Sequence, residues 1–282
     1  MSTVLFDTPG PRALARQRIY TVMTTVVLGG LLAAALWQLW TKEMITPDQW
    51  VAFTEPRILM SLLEELVFAT LAGAAVAIVL AVAFGAVFAA GRLADPAWIR
   101  LPCWAVVEFF RAVPLLLMIF VLFYGFGNTL GTFWSLVLAL MLYNGSVLAE
   151  IFRAGIQAVP TGQSEAAYAI GMTKSQVLVQ ILAPQALRSM LPAIISQCVV
   201  ALKDTTLGFA IGAPGIVDVG ERIYLARVYD NPFAVGIVLA AVFIVINYSL
   251  SRLAVHLESR MRRQGTETVH VADTGDDVTA AG

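Results

Sequence analysis

Two adjacent charged residues, Lys203 and Asp204, lie inside an otherwise apolar stretch of the sequence. If a helix begins near Arg188, Lys203 lies about 22 Å along its axis, which is deep inside a bilayer. An unpaired charge at that depth costs several kcal/mol or more, so it normally faces a cavity or a partner helix. We therefore predict that Lys203 or Asp204 lines a path for a polar solute, with the Thr205 hydroxyl as a hydrogen-bonding neighbour.

A structural ion pair is the alternative interpretation of these two charges, with Glu150 or Glu64 as the partner. Buried charges often serve packing specificity, so the sequence does not decide between the two interpretations. Adjacent residues on a helix point roughly 100° apart. Lys203 and Asp204 are therefore not both expected to face the same surface.

Other polar residues near the same predicted membrane region are weaker candidates. Arg111, Glu150 and Arg153 lie close to the ends of apolar runs. Long basic side chains at such places often anchor a helix by reaching into water, and we favour that interpretation for Arg153. For Arg111 and Glu150, anchoring and lining of the path stay equally open. Asn144 lies deeper in its run and is predicted to face the path.

The segment 153–188 is the longest connection between predicted spans on its side, and turn residues divide it. A short helix is predicted over 163–170, with Glu165 in its first turn, where the helix dipole favours negative charge. Gly171 is a natural C-terminal stop. Thr173 and Gln176 have the spacing of a capping box that starts a second short helix, which ends before the following proline. We expect two short helices bent around Gly171.

The sequence lacks the residues that ATP hydrolysis, a disulfide framework or a metal site would require. The sequence contains no Gly-x-x-x-x-Gly-Lys-Ser/Thr phosphate loop, so the chain is not expected to hydrolyse ATP. Cys103 and Cys198 each lie in an apolar run, and no other ligand-type residues group with His256 or His270. Neither a disulfide framework nor a metal site is predicted.

Composition places the chain in a membrane. Of its 282 residues, 59% are hydrophobic and 13% are charged, against about a quarter charged in soluble domains. The net charge of −1 provides no basic surface for nucleic acid. Because much of the surface must contact something other than water, membrane lipid is the expected partner.

Charge-free runs of about 20 residues locate the spans. We predict an all-α integral membrane protein with about six transmembrane helices. An N-terminal segment, 1–18, precedes an additional first helix that is too long for a cleaved signal. A 38-residue uncharged run is divided into two helices by the glycine-rich stretch 125–131. The predicted spans are 19–40, 66–90, the two halves of 112–149, one that starts near Ser189, and 232–251. The polar tail, 264–282, is predicted to be disordered.

The distribution of basic residues sets the direction of the chain. With both termini in the cytoplasm, thirteen Lys and Arg residues lie inside and four outside, as the positive-inside rule requires. Within the second span, a small residue recurs at every fourth position from Ala69 to Ala89. Small side chains along one helix face let another backbone approach closely, so this stripe predicts a packing face.

Several motifs occur together in a recognisable order. They are Glu108-Phe-Phe-Arg-Ala-Val-Pro114, Glu150-Ile-Phe-Arg153, Pro160-Thr-Gly-Gln163, Glu165-Ala-Ala167 with Gly171 and Ile181-Leu-Ala-Pro184, Pro184-Gln-Ala-Leu-Arg188, and Leu202-Lys-Asp-Thr-Thr-Leu207. This sequence resembles the permeases of ATP-binding-cassette (ABC) importers, in particular the polar amino acid family that transports histidine, glutamine, glutamate or arginine. The resemblance extends over about residues 66–217.

The resemblance implies a type I ABC importer permease architecture over 62–256, with cytoplasmic coupling helices in the loop 153–188. In that family the loop contacts the ATPase subunit, which implies this role for Gly162, Glu165, Ala166, Ala167 and Gly171. ATP and Mg²⁺ would then bind to a partner ATPase dimer, and no cofactor to this chain. The other implied partners are a second permease copy or paralogue and an extracytoplasmic solute-binding protein.

The implied function is the uptake of polar amino acids, with acidic ones among the candidates, across a bacterial plasma membrane. An ion-driven secondary transporter of a small polar solute is the alternative. Such carriers tend to contain internal repeats with interrupted helices at corresponding positions, and we find no convincing repeat. A membrane anchor without transport activity would leave Lys203 and Asp204 unexplained.

Overall fold

A computed structural model describes residues 10–226 and 232–270, and all regular secondary structure in them is helical. The α-helices are α1 (Pro11–Thr41), α2 (Pro56–Glu64), α3 (Ala72–Arg92), α4 (Ala97–Ala112), α5 (Leu115–Gln157), α6 (Thr161–Ala169), α7 (Lys174–Gln176), α8 (Ala183–Asp204), α9 (Ile216–Leu225) and α10 (Pro232–His270). Shorter 3₁₀ and π segments join several of them, namely Pro47–Thr54, Glu65–Leu71, Val177–Leu182 and Thr205–Ile211.

Five helical stretches of the described chain are long and apolar enough to cross a membrane, and one of them, α5, is folded back on itself. A straight helix would place residues 115 and 150 roughly 50 Å apart. Arg111, just before α5, nevertheless lies 3.9 Å from the Glu150 carboxylate. The chain reverses at Gly131, whose φ of 69° and ψ of 178° are not helical. With an outgoing arm (115–130) and a return arm (132–157), the apolar segments number six, as predicted.

The predicted small-residue stripe is a packing face. Gly73, Ala77, Ala81, Gly85 and Ala89 are all buried in α3. A Cβ atom at Gly85 would lie 2.9 Å from Leu148 Cβ, and one at Gly73 would lie 3.2 Å from the Phe133 ring. These contacts show that α3 and the return arm run side by side in the same direction, with their backbones close together.

The predicted second short helix of the loop is wrong in its extent. It does not end before Pro184, and the fifth span does not begin near Ser189, because helix continues from Lys174 to Ile211. Pro184 follows the π segment Val177–Leu182 and lies at the start of α8. The wider turn of the π segment accommodates a residue that has no N–H to donate, so the helix continues past Pro184.

A second core surrounds α9, at the opposite end of the bundle from α6. Ile216, Val219 and Ile223 of α9 are buried against Ala52, Leu62 and Val235. The connection between the first two spans is therefore not a plain linker, since its 3₁₀ segment Pro47–Thr54 packs into this core. The second span also begins earlier than predicted, at Pro56. We call the two ends of the bundle the α6 end and the α9 end.

Helix α1 stands apart from these cores. None of its most apolar 18-residue window is buried, and it exposes large side chains around its circumference, including Met23, Leu31 and Trp37. Lipid contact would satisfy such a surface. At the other terminus α10 continues to His270. The first nine residues and the tail 271–282 lie outside the described residues, and disorder of the tail stays a prediction.

Candidate functional site: the α6 loop and the polar seam of α8

The α6 loop is a short helix bent back onto the helix that follows. Gly171 ends the turn with a φ of 84°, a left-handed conformation that glycine adopts without steric cost. The Gly171 and Met172 N–H groups donate to the carbonyl oxygens of Tyr168 and Ala167, at 2.9 and 3.2 Å. The predicted capping box at Thr173 and Gln176 is present. The predicted bend is therefore confirmed in its position and its geometry.

The loop places its predicted contact residues on two different sides. Ala167 is 5% exposed and packs against its own chain, so any part that it has in coupling is to seat α6. Gly162, Glu165 and Ala166 are exposed. Because α6 begins at Thr161, Glu165 lies in the second turn. The predicted first-turn position is wrong because α6 begins two residues, or about half a turn, earlier than predicted. The effect of the helix dipole on this side chain is therefore weaker.

Two apolar side chains that the sequence prediction omitted extend the exposed surface of the loop. Tyr168 is 47% exposed and Ile170 is 79% exposed. Large apolar groups grouped on a surface mark sites where another protein docks more often than they mark bare surface. The position of these two residues next to the predicted bend is the sequence signal that could have identified them.

Polar contacts hold the loop against the rest of the chain. Lys174 forms an ion pair with Asp95, in the connection between α3 and α4. The Gln185 amide of α8 donates to Gln163 Oε1 at 3.3 Å. A displacement of α6 would therefore act on α8 and on the α3–α4 connection together.

A cluster of charges at the α6 end joins three helices. Glu150 lies at its centre, with Oε2 2.8 Å from Arg92 Nη1, 3.9 Å from Arg111 Nη1 and 3.2 Å from Arg153 Nε. Glu108 Oε1 lies 3.5 Å from Arg92 and 3.2 Å from Arg111. The Arg92 side chain is only 8% exposed. The contact between Arg92 Nη1 and Glu150 is an ion pair by distance, although the N–H direction does not suit a hydrogen bond.

This cluster changes two interpretations. Arg153 is an ion-paired member of the cluster, and its Nη1 also donates to Gln157, so it is not an isolated anchor. Glu150 is occupied by arginines and is not the partner of Lys203 or Asp204. Among the described residues Glu64 has no ion pair either, so the proposed structural pairing is not observed. The sequence prediction missed Arg92 as a member of this cluster, although Arg92 is one of the thirteen basic residues that it placed inside.

Asp204 and Lys203 face different surroundings, as their angular separation on a helix predicts. Asn144 is buried in the return arm of α5 and accepts a hydrogen bond from Gln197 of α8, at 2.7 Å. The Asn144 side chain also interacts with the half-buried Asp204 carboxylate. The Thr205 hydroxyl donates to the Leu202 carbonyl oxygen. Asp204 thus belongs to a polar contact between α8 and α5.

Lys203 instead faces an open groove between α8 and α10. The groove has a volume of about 510 Å³, and Thr206, Asn247, Tyr248 and Ser251 also line it. A second groove of about 290 Å³ continues along the same seam from Lys203 towards Pro192. Lys203 has no ion pair among the residues that the structure describes. The C-terminal end of α8 therefore presents a cation that has no ion pair among the described residues.

Residues 81–263, more than half of the chain, match the family described as the binding-protein-dependent transport system inner membrane component. The chain belongs to this family. It is therefore an inner-membrane component of a transport system that depends on a binding protein. The α6 loop, the charge cluster and the α8–α10 grooves all lie within the matched range of this permease family.

Individual relatives agree with that assignment. The chain is 37% identical over 221 residues to the glutamate transport system permease protein GluD of Corynebacterium glutamicum, with 76% of this chain and 80% of GluD covered. It is 34% identical over 196 residues to the probable glutamine ABC transporter permease protein GlnP of Bacillus subtilis, with 68% and 89% covered. The resemblance to polar amino acid permeases is thereby confirmed.

A solved structure confirms the type of fold. A crystal structure of an amino acid ABC transporter with histidines superposes with a TM-score of 0.67 at 28% identity, covering 72% of this chain and 95% of that one. The MetNI methionine ABC transporter in an inward-facing conformation has a TM-score of 0.58 at 20% identity, with 72% and 95% covered. The second likeness concerns the fold alone.

Proposed function

We propose that this chain is the membrane-spanning permease subunit of an ATP-driven importer of polar amino acids. The observation that carries the proposal is the α6 loop, a braced bend that exposes Glu165, Ala166, Tyr168 and Ile170 at one end of the bundle. Glutamate and glutamine are the substrates named for the relatives GluD and GlnP. We therefore take L-glutamate as the first substrate to test.

In this proposal the α6 end faces the cytoplasm, together with both termini of a multi-pass chain. The basic residues of the inner connections support this orientation, because Arg92, Arg100, Arg111, Arg153 and Lys174 all belong to that end. The α9 end then faces the solute-binding protein. A partner ATPase dimer binds ATP and Mg²⁺ below the α6 end and supplies the energy.

The α6 loop is suited to transmit a mechanical contact. Its exposed face combines the Glu165 carboxylate, which can pair with a basic residue of the ATPase, with the apolar Tyr168 and Ile170. Its opposite face is fixed to the chain by the buried Ala167 and by the Lys174–Asp95 ion pair. A push on the exposed face therefore reaches α8, which carries Lys203, without being absorbed in a loose loop.

The translocation path runs along the two grooves between α8 and α10. A second permease subunit, either a copy or a paralogue, completes it. Lys203 is exposed in this single chain, and an unpaired ammonium in contact with lipid would be costly, so a protein partner or a hydrated path must cover it. Asn144, Asp204 and Thr205 belong to the polar contacts of α8 beside Lys203. Arg111 and Glu150 lie at the cytoplasmic mouth.

Coupling is tested by purifying the permease with its ATPase in the absence of the binding protein. We expect Glu165→Lys to reduce co-purification of the ATPase strongly, because it reverses the charge of the contact face. Glu64→Lys is the matched control, since Glu64 is also exposed but lies at the α9 end. Equal recovery of the ATPase with both variants would remove Glu165 from the contact.

The complete importer tests transport itself. In proteoliposomes that contain permease, ATPase and binding protein, L-glutamate uptake should require ATP, and L-glutamate should stimulate ATP hydrolysis. Gly171→Val should uncouple the two activities, because a β-branched residue does not tolerate the φ of 84° that the bend requires. Uptake that proceeds without ATP and follows an ion gradient would instead establish a secondary transporter.

A further inference from the structure

The α8–α10 groove contains a hydrogen-bond acceptor whose donor is missing. Asn247 of α10 donates from Nδ2 to the Phe243 carbonyl oxygen at 2.6 Å, which fixes the orientation of the amide. Its Oδ1 atom is buried and has no hydrogen-bond partner. Buried polar atoms are nearly always paired, and an orphaned one needs an explanation.

The side chains of Lys203 and Asn247 line the same groove, although the Oδ1 atom of Asn247 itself is covered while the groove is empty. Lys203 contributes from α8 and Asn247 from α10, and the Lys203 ammonium has no ion pair in the described part of the chain. The remaining polar groups, from Thr206, Tyr248 and Ser251, line the same space. Two helices of opposite direction therefore each bring a side chain with an unsatisfied polar group to one open groove of about 510 Å³.

The chemistry that satisfies both groups is an anion with an N–H donor close to it. The head of an α-amino acid has this pair, because its carboxylate and its ammonium are attached to one carbon atom. On the basis of the proposed function, we propose that Asn247 is a substrate-binding residue that accepts a hydrogen bond from the substrate ammonium while Lys203 binds the carboxylate. The proposal adds α10 to the substrate path. The path residues predicted from the sequence lie on α8, on α5 and at the end of α4.

Binding of the head group is favoured because an unpaired polar group in the protein is costly. An empty groove leaves Oδ1 without a partner and leaves the Lys203 charge uncompensated, whereas the occupied groove pairs both. Binding of the head group therefore draws α8 and α10 onto one ligand. Ethanolamine lipids carry a similar pair of groups, so the lipid composition must be controlled in the test.

Thiol labelling in the assembled complex tests this site directly. The two native cysteines are replaced (Cys103→Ala, Cys198→Ala), and Ser251→Cys supplies a thiol that lines both grooves. The control is Ser249→Cys on the same helix, because Ser249 is exposed and is absent from both linings. The permease and ATPase are placed in vesicles of phosphatidylcholine and phosphatidylglycerol, which contain no lipid ammonium.

We expect an anionic methanethiosulfonate to label position 251 about tenfold faster, relative to a cationic one, than it labels position 249, because Lys203 attracts it. Lys203→Met should abolish that preference. L-Glutamate should slow labelling at position 251 only. Asn247→Leu should raise the L-glutamate concentration needed for protection about tenfold and leave the anion preference unchanged. Protection by glutarate, which has the two carboxylates but no nitrogen atom, should not respond to Asn247→Leu.

Protection by L-glutamate that is unchanged in Asn247→Leu overturns the proposal, as does a loss that is equal for L-glutamate and glutarate. These outcomes are separate from the fate of the proposed function. A complex that transports L-glutamate with ATP but shows no effect of Asn247→Leu removes only this inference. Intact protection in a complex without ATP-driven uptake removes the importer function and keeps the binding site.

Discussion

The charge cluster at the α6 end and the α8–α10 seam use charged residues in opposite ways. Each arginine of the cluster lies within ion-pair distance of Glu108 or Glu150, so the charges are consumed in joining α3, α4 and α5. In the seam, Lys203 and the Asn247 oxygen have no such partner among the described residues. The difference separates a region that holds the fold together from one that is left ready for a ligand.

Removal of the Lys203 charge is the strongest test of this difference between the charge cluster and the α8–α10 seam. Lys203→Met should reduce L-glutamate uptake by about tenfold to a hundredfold, the equivalent of the ~1.5–3 kcal/mol of a hydrogen bond to a charged group. The melting temperature of the purified subunit should not fall, because no ion pair is lost. A variant that unfolds more easily but still transports normally would place Lys203 with the structural charges.

Removal of a carboxylate from the charge cluster should lower the stability of the subunit, which the Lys203 variant should not do. Glu150→Leu removes the shorter ion pair of the nearly buried Arg92 guanidinium and leaves it, among the described residues, the 3.5 Å contact with Glu108. The free energy of unfolding should fall by about 2 kcal/mol, less than for a buried charge that loses its last partner. The double variant Arg92→Met/Glu150→Leu should regain most of this loss, since no buried charge remains. Denaturation in detergent measures both variants. Arg100→Met is the control, because in the described part of the chain the Arg100 guanidinium donates to backbone carbonyl oxygens and forms no ion pair.

The close packing of α3 against α5 also belongs to the part of the molecule that holds the fold together. Gly145→Ala places a methyl group 2.8 Å from the Phe84 ring and should destabilise the subunit by about 1–3 kcal/mol through overpacking. Gly236→Ala in α10 meets no atom within 4 Å and should be neutral. Similar melting temperatures for the two variants would show that the α3–α5 contact is looser than these distances indicate.

The exposed Lys174–Asp95 pair should contribute least to stability. Both side chains are largely in water, where such pairs contribute about 0–1 kcal/mol. Asp95→Ala should therefore leave the melting temperature nearly unchanged, and any effect should be seen in the ratio of ATP hydrolysed to L-glutamate transported. A large fall in stability would mean that the loop belongs to the structural region.

Local signals predicted the parts of this molecule that depend on local sequence. The bend at Gly171 and the capping box at Thr173 follow from nearby residues, and the reversal at Gly131 follows from a glycine-rich stretch within a run too long for one span. The small-residue stripe of α3 is a periodic pattern that needs no knowledge of its partner. These predictions are confirmed by the backbone angles, hydrogen bonds and packing described above.

Features that depend on distant residues were missed. The partners of Glu150 come from α3, from α4 and from its own helix, and only packing brings them together. Helix continues past Pro184 because a π segment precedes it, which a rule for isolated prolines does not anticipate. Asn247 is a lone amide in an apolar helix, and only the position of α8 shows that its oxygen shares a groove with Lys203.

The separation of α1 from both cores has a consequence for the history of the chain. A helix that buries none of its apolar window in the protein contributes no packing to the rest. Within residues 10–226 and 232–270, the hydrogen bonds between α1 and later residues lie at its own junction near Thr41. The remaining bundle could therefore exchange this helix for another targeting or tethering segment, and chimaeras joined between Thr41 and Pro47 should still assemble.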